Sequence, residues 1–324
     1  MVISLFVSGM FVIGCSDENA ITPGEEVPPG GATTESEAMK YLASSDEFVS
    51  NEDLTFGDEA MEPTEYGSFL KLGNSIIPIS WGRFVDQVTI TTSTVIEDGD
   101  SLATVEVVKT ITGTFRILAK YSDDDTATVL IEKPFTDQSV RNVLFKRVGR
   151  EVGRFWLNWV PVATSLVDGA TVNPPADQVV NLTELQFTKA GGDTITVTDP
   201  TNFYLRYGWR FLSDHRALEE VPVMFMNQAF WMRATVVSAS PDTDIVVLKY
   251  GFSPTARKRT AMSLVSQTDN GDGTYTRVYE ISAEVRHHPG FFHAGVLVLT
   301  KKTLFDDDPA NYSVNWWGVP YRVL

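Results

Sequence analysis

The sequence predicts a mainly β protein with two antiparallel β-sandwich-like domains, preceded by an apolar N-terminus, an acidic segment and one short helix. Long stretches alternate between apolar and polar residues with a period of two, which is typical of half-buried strands. Turn dipeptides such as Asp98-Gly99 separate these stretches. Apolar residues make up 43% and charged residues 21% of the chain, which is the composition of a folded globular protein.

The N-terminal residues 1–14 form an uncharged apolar run that ends directly before Cys15, the only cysteine. The run is shorter than the roughly 20 residues that a membrane-spanning helix needs, but it matches the apolar core of a secretory signal. Val12-Ile13-Gly14-Cys15 resembles the lipobox of bacterial lipoproteins. This resemblance implies that residues 1–14 are a lipoprotein signal peptide and that acyl chains modify the thiol of Cys15.

The residues that follow Cys15 are polar and acidic. Ser16-Asp17-Glu18 resembles the export signal that directs lipoproteins of the Bacteroidota to the outer face of the outer membrane, and the alternative is a solvated linker without a sorting role. The chain resembles exported lipoproteins of the Bacteroidota and Ignavibacteria. The resemblance implies an outer-membrane lipoprotein that is held by its lipid anchor and displayed on the cell surface.

The formal net charge of −16 is concentrated near the N-terminus. Residues 16–65 contain fourteen acidic residues and a single basic one, Lys40. A nucleic-acid partner is therefore disfavoured, because binding to phosphates needs a basic stripe on the folded body. With its one cysteine assigned to the lipid, the chain has no internal disulfide, so we expect core burial to stabilise it.

The acidic N-terminal part divides into two segments. Residues 15–33 are rich in proline and glycine and poor in apolar residues, which predicts a flexible tether. Residues 34–66 form an acidic segment that begins with Thr34-Glu35-Ser36-Glu37, the spacing of a capping box. The capping box predicts one short helix over about residues 36–46.

Residues 67–212 are predicted to form a middle β-domain. Alternating residues on both sides of Asp98-Gly99 predict a long hairpin over residues 83–120. Further strands are expected at residues 128–131 and 140–147.

Residues 213–324 are predicted to form an immunoglobulin-like β-sandwich, because short strands alternate with turns over about a hundred residues. The stretch Asp269 to Thr276 resembles a hairpin that is common in bacterial immunoglobulin-like modules. The stretch Asn315 to Tyr321 resembles the last strand of such a module. The paired cysteines of antibody domains are missing, which implies a disulfide-free class of the fold.

Two groups of residues have the composition of metal ligands, and each has a plain structural alternative. Glu284, His287, His288 and His293 lie close together, but the strand pattern and Pro289-Gly290 separate their side chains, so an exposed strand end is the alternative to a metal site. Asp-rich stretches at residues 123–125, 269–273 and 306–308 could hold Ca²⁺, and the alternative is loop and hairpin turns. No other cofactor is expected.

Aromatic residues are abundant in the C-terminal half, and exposed ones would offer a surface for sugar rings or a protein partner. The alternative is a position in the sandwich core. Because Trp316 and Trp317 are adjacent on a strand, they must face opposite ways. The candidates are Trp209, Trp231, Trp316 and Trp317.

The sequence predicts a lipid-anchored envelope protein with a non-catalytic binding or structural role, through contact with a protein or a glycan. Neither a nucleophile elbow nor a phosphate loop is present in the sequence. Two alternatives remain, a carbohydrate-binding lipoprotein of an uptake system and an envelope hydrolase. Exposed aromatic side chains would favour glycan binding, exposed unpaired sheet edges would favour assembly with proteins, and close carboxylates in a cleft would favour the hydrolase.

Overall fold

The protein is mainly β, and its strands form two largely antiparallel sheets packed as a sandwich, which confirms the predicted fold class. The immunoglobulin-like character of the C-terminal part stays a prediction. The computed structural model describes residues 34–45, 75–97, 101–122, 124–148, 159–188, 192–206, 219–250, 258–285 and 288–324.

The described residues form two α-helices, two short 3-10 helices and seventeen strands. The α-helices are α1 (Glu35–Ser45) and α2 (Lys301–Phe305), and the 3-10 helices span Ala176–Gln178 and Pro200–Asn202. The strands are β1 (Ile77–Ile96), β2 (Leu102–Lys120), β3 (Val129–Arg147), β4 (Trp159–Ser165), β5 (Val167–Thr171), β6 (Val180–Thr188), β7 (Thr194–Val197), β8 (Tyr204–Arg206), β9 (Glu219–Glu220), β10 (Val223–Met224), β11 (Ala229–Ser238), β12 (Ile245–Tyr250), β13 (Lys258–Ala261), β14 (Ser263–Asp269), β15 (Tyr275–Glu284), β16 (Gly290–Leu299) and β17 (Val314–Val323).

Helix α1 begins with the predicted capping box. The Thr34 amide donates to Glu37 Oε2 at 3.1 Å, and the Glu37 amide donates to Thr34 Oγ1 at 3.2 Å. These two bonds satisfy amides that a helix N-terminus otherwise leaves without acceptors. Met39 and Ala43 are buried against the β2 and β3 strands and Trp159, so tertiary packing holds this short helix in place. The prediction of a helix here is confirmed.

Strands β1 and β2 form the predicted long hairpin, and β3 adds a third strand of similar length. The tip of the β1–β2 hairpin, at Asp98-Gly99, lies outside the described residues. Strand β3 runs unbroken through Pro134, where the sequence predicted two separate strands. Its polar residues Lys133 and Asp137 are buried rather than exposed, which is why the period-two pattern was hidden. Pro134 has no N–H to donate, and its nitrogen faces the side of β3 that is opposite β2. On that side β5 pairs with β3 only from Asp137 onward, so no strand lacks a hydrogen bond because of the proline.

The larger sheet has twelve strands and curls over itself. Its main run follows the order β13, β12, β16, β17, β5, β3, β2 and β1. The two ends of this run meet where the Arg259 guanidinium lies 4.8 Å from the ring centre of Trp81. The enclosed face is filled by an apolar core that includes Phe115, Leu297 and Trp316.

The smaller sheet has five strands in the order β14, β15, β11, β6 and β7, and it covers the opposite face of β12, β16 and β17. Strands β6 and β7 precede residue 212, whereas β11, β14 and β15 follow it. Strand β17 likewise pairs with β5. The predicted division between residues 212 and 213 therefore does not separate two sheets, because strands from both sides of it pair in each sheet.

Candidate functional site

The curled sheet buries one ion pair between its first and third long strands. Arg83 on β1 contacts Asp137 on β3, and their side chains are 1% and 0% exposed. Tyr312 donates its hydroxyl to Asp137 Oδ2 at 3.0 Å. The Arg83 guanidinium also lies 5.2 Å from the ring centre of Trp316. Burial raises the pKa of Asp137, and the charge of Arg83 opposes this rise. The pair joins strands inside the core and faces no solvent.

A second buried ion pair closes one end of the sandwich. Arg277 Nη1 lies 2.6 Å from Asp244 Oδ2, and both side chains are fully buried. Ser238 donates its hydroxyl to Asp244 Oδ1 at 2.9 Å, and Arg277 also donates to the backbone oxygen of Ser240 at 2.8 Å. Burial raises the pKa of Asp244 to about 6, against the opposing effect of Arg277. This network ties the loop before β12 to β15.

The aspartates at 306–308 lie beside a buried lysine. Lys133 Nζ donates to the backbone oxygens of Lys302 and Asn311, each at 2.9 Å. Burial lowers the pKa of Lys133 to about 8, while the charges of the three aspartates act in the opposite direction. Asp306 and Asp308 also accept amides of their own loop at 2.8 and 2.9 Å. These contacts give the Asp stretch a role in shaping the loop over Lys133.

The other Asp-rich stretches also form turns. At the hairpin between β14 and β15, Asp269 Oδ1 accepts the Gly271 amide at 2.8 Å, and Asp272 Oδ1 accepts the Thr274 amide at 2.9 Å. The predicted hairpin is thus confirmed. In the remaining stretch Asp125 Oδ2 accepts the Ser122 amide at 2.9 Å. Calcium at these loops stays a prediction.

The histidine candidates are spread over the ends of two strands. Glu284 closes β15, His288 precedes β16, and His293 lies within β16. The His288 ring is 5.6 Å from the ring of Phe292, and its Nδ1 is 3.0 Å from its neighbour's carbonyl oxygen. Among the described residues, no three His, Cys, Asp or Glu side chains form a group that could hold a metal ion. His287 lies outside these residues.

The structure separates the tryptophan candidates. Trp316 and Trp317 do face opposite ways, but both are buried, at 2% and 3% exposure, because β17 has a core on each of its faces. Neither ring is therefore available to a ligand, and this finding corrects the prediction that Trp316 and Trp317 are binding residues. Trp231 is partly exposed on the outer face of β11. Trp209 and the lipidation candidate Cys15 lie outside the described residues.

The outer face of the five-stranded sheet, which we call the Trp231 face, is built around the central strand β11. Residues of β11 alternate, so that Met232, Ala234 and Val236 enter the core while the intervening residues point outward. No other layer of the described structure covers these outward residues. On the three central strands the face includes Glu184, Gln186, Trp231, Arg233, Thr235, Val237, Thr276, Val278, Glu280 and Ser282.

Strand pairing sets the polar groups of the Trp231 face in rows. Arg233 lies between Glu280 on β15 and Gln186 on β6. Its Nε is 3.7 Å from Glu280 Oε1, and their side chains are 38% and 32% exposed, so this ion pair is loose and open to solvent. Gln186 donates to Glu184 Oε1 at 3.0 Å. The row thus presents a guanidinium, an amide and two carboxylates side by side.

Trp231 lies at one end of these rows, opposite Ser282. Outward positions on one strand are spaced by about 6.8 Å, so positions 231 and 233 are neighbours on this face. Chemically, the face offers an apolar ring next to planar hydrogen-bonding groups of both kinds. The sequence marked Trp231 alone. The alternation along β11 predicts that Arg233 is on the same face as Trp231. Only the strand pairing shows that Glu280 and Gln186 are neighbours of Arg233.

The fold and this face define a β-sandwich protein with a polar, open sheet surface. No family model, no curated protein and no solved structure matches the chain. Every helix in the described part of the chain is too short to cross a bilayer.

Proposed function

We propose that this is a lipid-anchored envelope protein whose Trp231 face binds a glycan without catalysis. The observation that supports this proposal is the position of Trp231 next to Arg233 on the central strand of an uncovered sheet face. An indole packs against the apolar face of a sugar ring, while the polar side chains around it exchange hydrogen bonds with the hydroxyl groups.

The charges of the face favour a neutral glycan over an acidic one. Arg233 is the only basic residue among the outward-facing residues of the three central strands, and Glu184 and Glu280 lie on either side of it. Their carboxylates would repel an anionic ligand, but they accept hydrogen bonds from sugar hydroxyls. Arg233 and Gln186 supply the donors. A neutral oligosaccharide of hexose units fits this set of groups.

Replacing Trp231 with alanine is expected to weaken binding of the cognate neutral oligosaccharide at least about 30-fold, since a central aromatic anchor contributes about 2 kcal/mol or more. An array of neutral and acidic glycans would identify the ligand, and titration calorimetry would measure the affinity. Phe291→Ala is the matched control, because Phe291 is an exposed aromatic residue on the other sheet. Equal loss in both variants, or binding of no neutral glycan, would contradict the proposal.

The lipid anchor is a separate part of the proposal and rests on Val12-Ile13-Gly14-Cys15. Two acyl chains on Cys15 would give stable membrane attachment, since each buried methylene contributes about 0.8 kcal/mol. The tether of residues 15–33 would then hold the folded part away from the membrane.

The mature protein is expected to begin at an acylated Cys15 and to partition into the membrane, whereas Cys15→Ser should abolish both properties. Intact-mass measurement of the N-terminal peptide from membrane fractions tests the modification. Protease treatment of whole cells tests surface display. An unmodified Cys15 in a protein that is not membrane-associated would overturn the anchor, without affecting the glycan measurement.

A further inference from the structure

The outer edge of the long hairpin carries an unusual strand. Strand β1 spans twenty residues, and among the described strands it pairs only with β2. Its distal part, residues 88–96, consists solely of Val, Ile, Thr and Ser. Such a segment has a high β-propensity and no charge, proline or glycine. Natural proteins usually protect edge strands with charged residues or proline, so this open edge calls for a partner strand.

Half of the backbone groups of this segment point away from the molecule. Glu97 donates its amide to the Leu102 carbonyl of β2 at 2.9 Å. The register of β1 with β2 is unbroken from Gln87 to Ile96. In an antiparallel ladder every second residue bonds to the same neighbour. The outward backbone groups therefore belong to Val88, Ile90, Thr92, Thr94 and Ile96.

In an antiparallel pairing of two copies centred on Thr92, every residue of the segment meets another uncharged residue of high β-propensity. We propose that β1 of a second copy of this chain pairs with it in antiparallel fashion, around a twofold axis at Thr92. Val88 then lies opposite Ile96 of the partner subunit. The acidic residues Asp86 and Glu97 flank the segment and do not enter it, so no like charges face each other within the nine paired positions. A twofold axis makes the contact closed and self-complementary.

The size of this contact suits a specific interface. Five outward residues on each copy form about ten backbone hydrogen bonds across the twofold axis, which is the number found in a typical protein interface. Val95 and Ile96 are 62% and 40% exposed, and the pairing places Thr89 and Val88 of the partner subunit opposite them. Helix α1 lies against this strand, where the Ser36 and Thr94 hydroxyls are 3.3 Å apart.

This inference is independent of the Trp231 face, which belongs to the other sheet.

Single cysteines test the register directly. In the full chain with Cys15→Ser, an added cysteine is the only thiol. Under mild oxidation Thr92→Cys is expected to form a disulfide-linked dimer. Ile90→Cys or Thr94→Cys alone should form none, because each would be separated from its own copy by about 14 Å along the strand, beyond the reach of a disulfide. A mixture of these two variants should crosslink, because position 90 lies opposite position 94.

A proline variant tests the interface without added thiols. Thr92→Pro removes an N–H that points outward, so the β1–β2 ladder keeps its bonds. Light scattering should find a dimer for the parent chain and for Thr92→Val, and a monomer for Thr92→Pro. Circular dichroism would check folding, and the crosslinking result decides if the proline variant unfolds. A monomeric parent chain, or a failure of both the Thr92→Cys and the mixed crosslinks, would overturn the proposal.

Discussion

Replacing Arg83 with methionine is expected to lower the free energy of unfolding by about 3–5 kcal/mol at pH 7, because it leaves the carboxylate of Asp137 buried without its counter-ion. Asp137 is 0% exposed and keeps only polar neighbours such as Tyr312. Urea unfolding measures the loss. Arg116→Met is the matched control on the same hairpin, because its partner Glu132 is half exposed, and it should cost less than about 1 kcal/mol.

The loss should also depend on pH. Burial already raises the pKa of Asp137, and removal of Arg83 should raise it further. A carboxyl whose pKa is higher in the folded than in the unfolded state binds more protons when folded, so the deficit of Arg83→Met should shrink as the pH falls towards about 4. The double variant Arg83→Met with Asp137→Leu should recover much of the stability. A deficit below about 1 kcal/mol at pH 7 would show that the pair is not needed for folding.

Gly169→Ala is expected to destabilise the protein by about 3 kcal/mol, because overpacking a rigid core forces neighbouring groups to move. A Cβ at position 169 would lie 2.1 Å from Cε2 of Trp316, whose indole covers this glycine. Trp316 in turn lies under the Arg83 guanidinium, so its displacement disturbs the buried ion pair. Urea unfolding measures the change in stability, and tryptophan fluorescence reports the altered indole environment.

Gly318→Ala is the control for this prediction. Gly318 lies on β17, the strand that also carries Trp316. A Cβ at position 318 would be 3.3 Å from Cβ of Val167, so a small movement of Val167 accommodates it. Its cost should stay within about 1 kcal/mol, since the lower entropy of the unfolded chain offsets part of the contact. Equal losses in both glycine variants would mean that the indole of Trp316 yields easily and that Gly169 has no special role.

Local chemistry in the sequence determined the elements whose contacts lie close in the chain. The capping box at Thr34 and Glu37 places the start of α1, because its two hydrogen bonds span only three residues. Alternation along β1 and β2 predicts the long hairpin, since a strand that buries one face repeats every two residues. The hairpin at Asn270 to Gly273 follows from turn residues that tolerate positive φ.

Only the tertiary structure decided which faces are buried and which strands are neighbours. Trp316 and Trp317 are both in the core because β17 is covered on both sides, which no local pattern reveals. Lys133 and Asp137 read as surface residues in the sequence, but their partners Asn311 and Arg83 lie far away in the chain. The Trp231 face has the same origin, because Gln186 and Glu280 meet beside Arg233 through two strand pairings, each between residues 47 apart in the chain. Sequence periodicity reports the burial of a single strand, whereas the packing of sheets depends on long-range contacts between several strands.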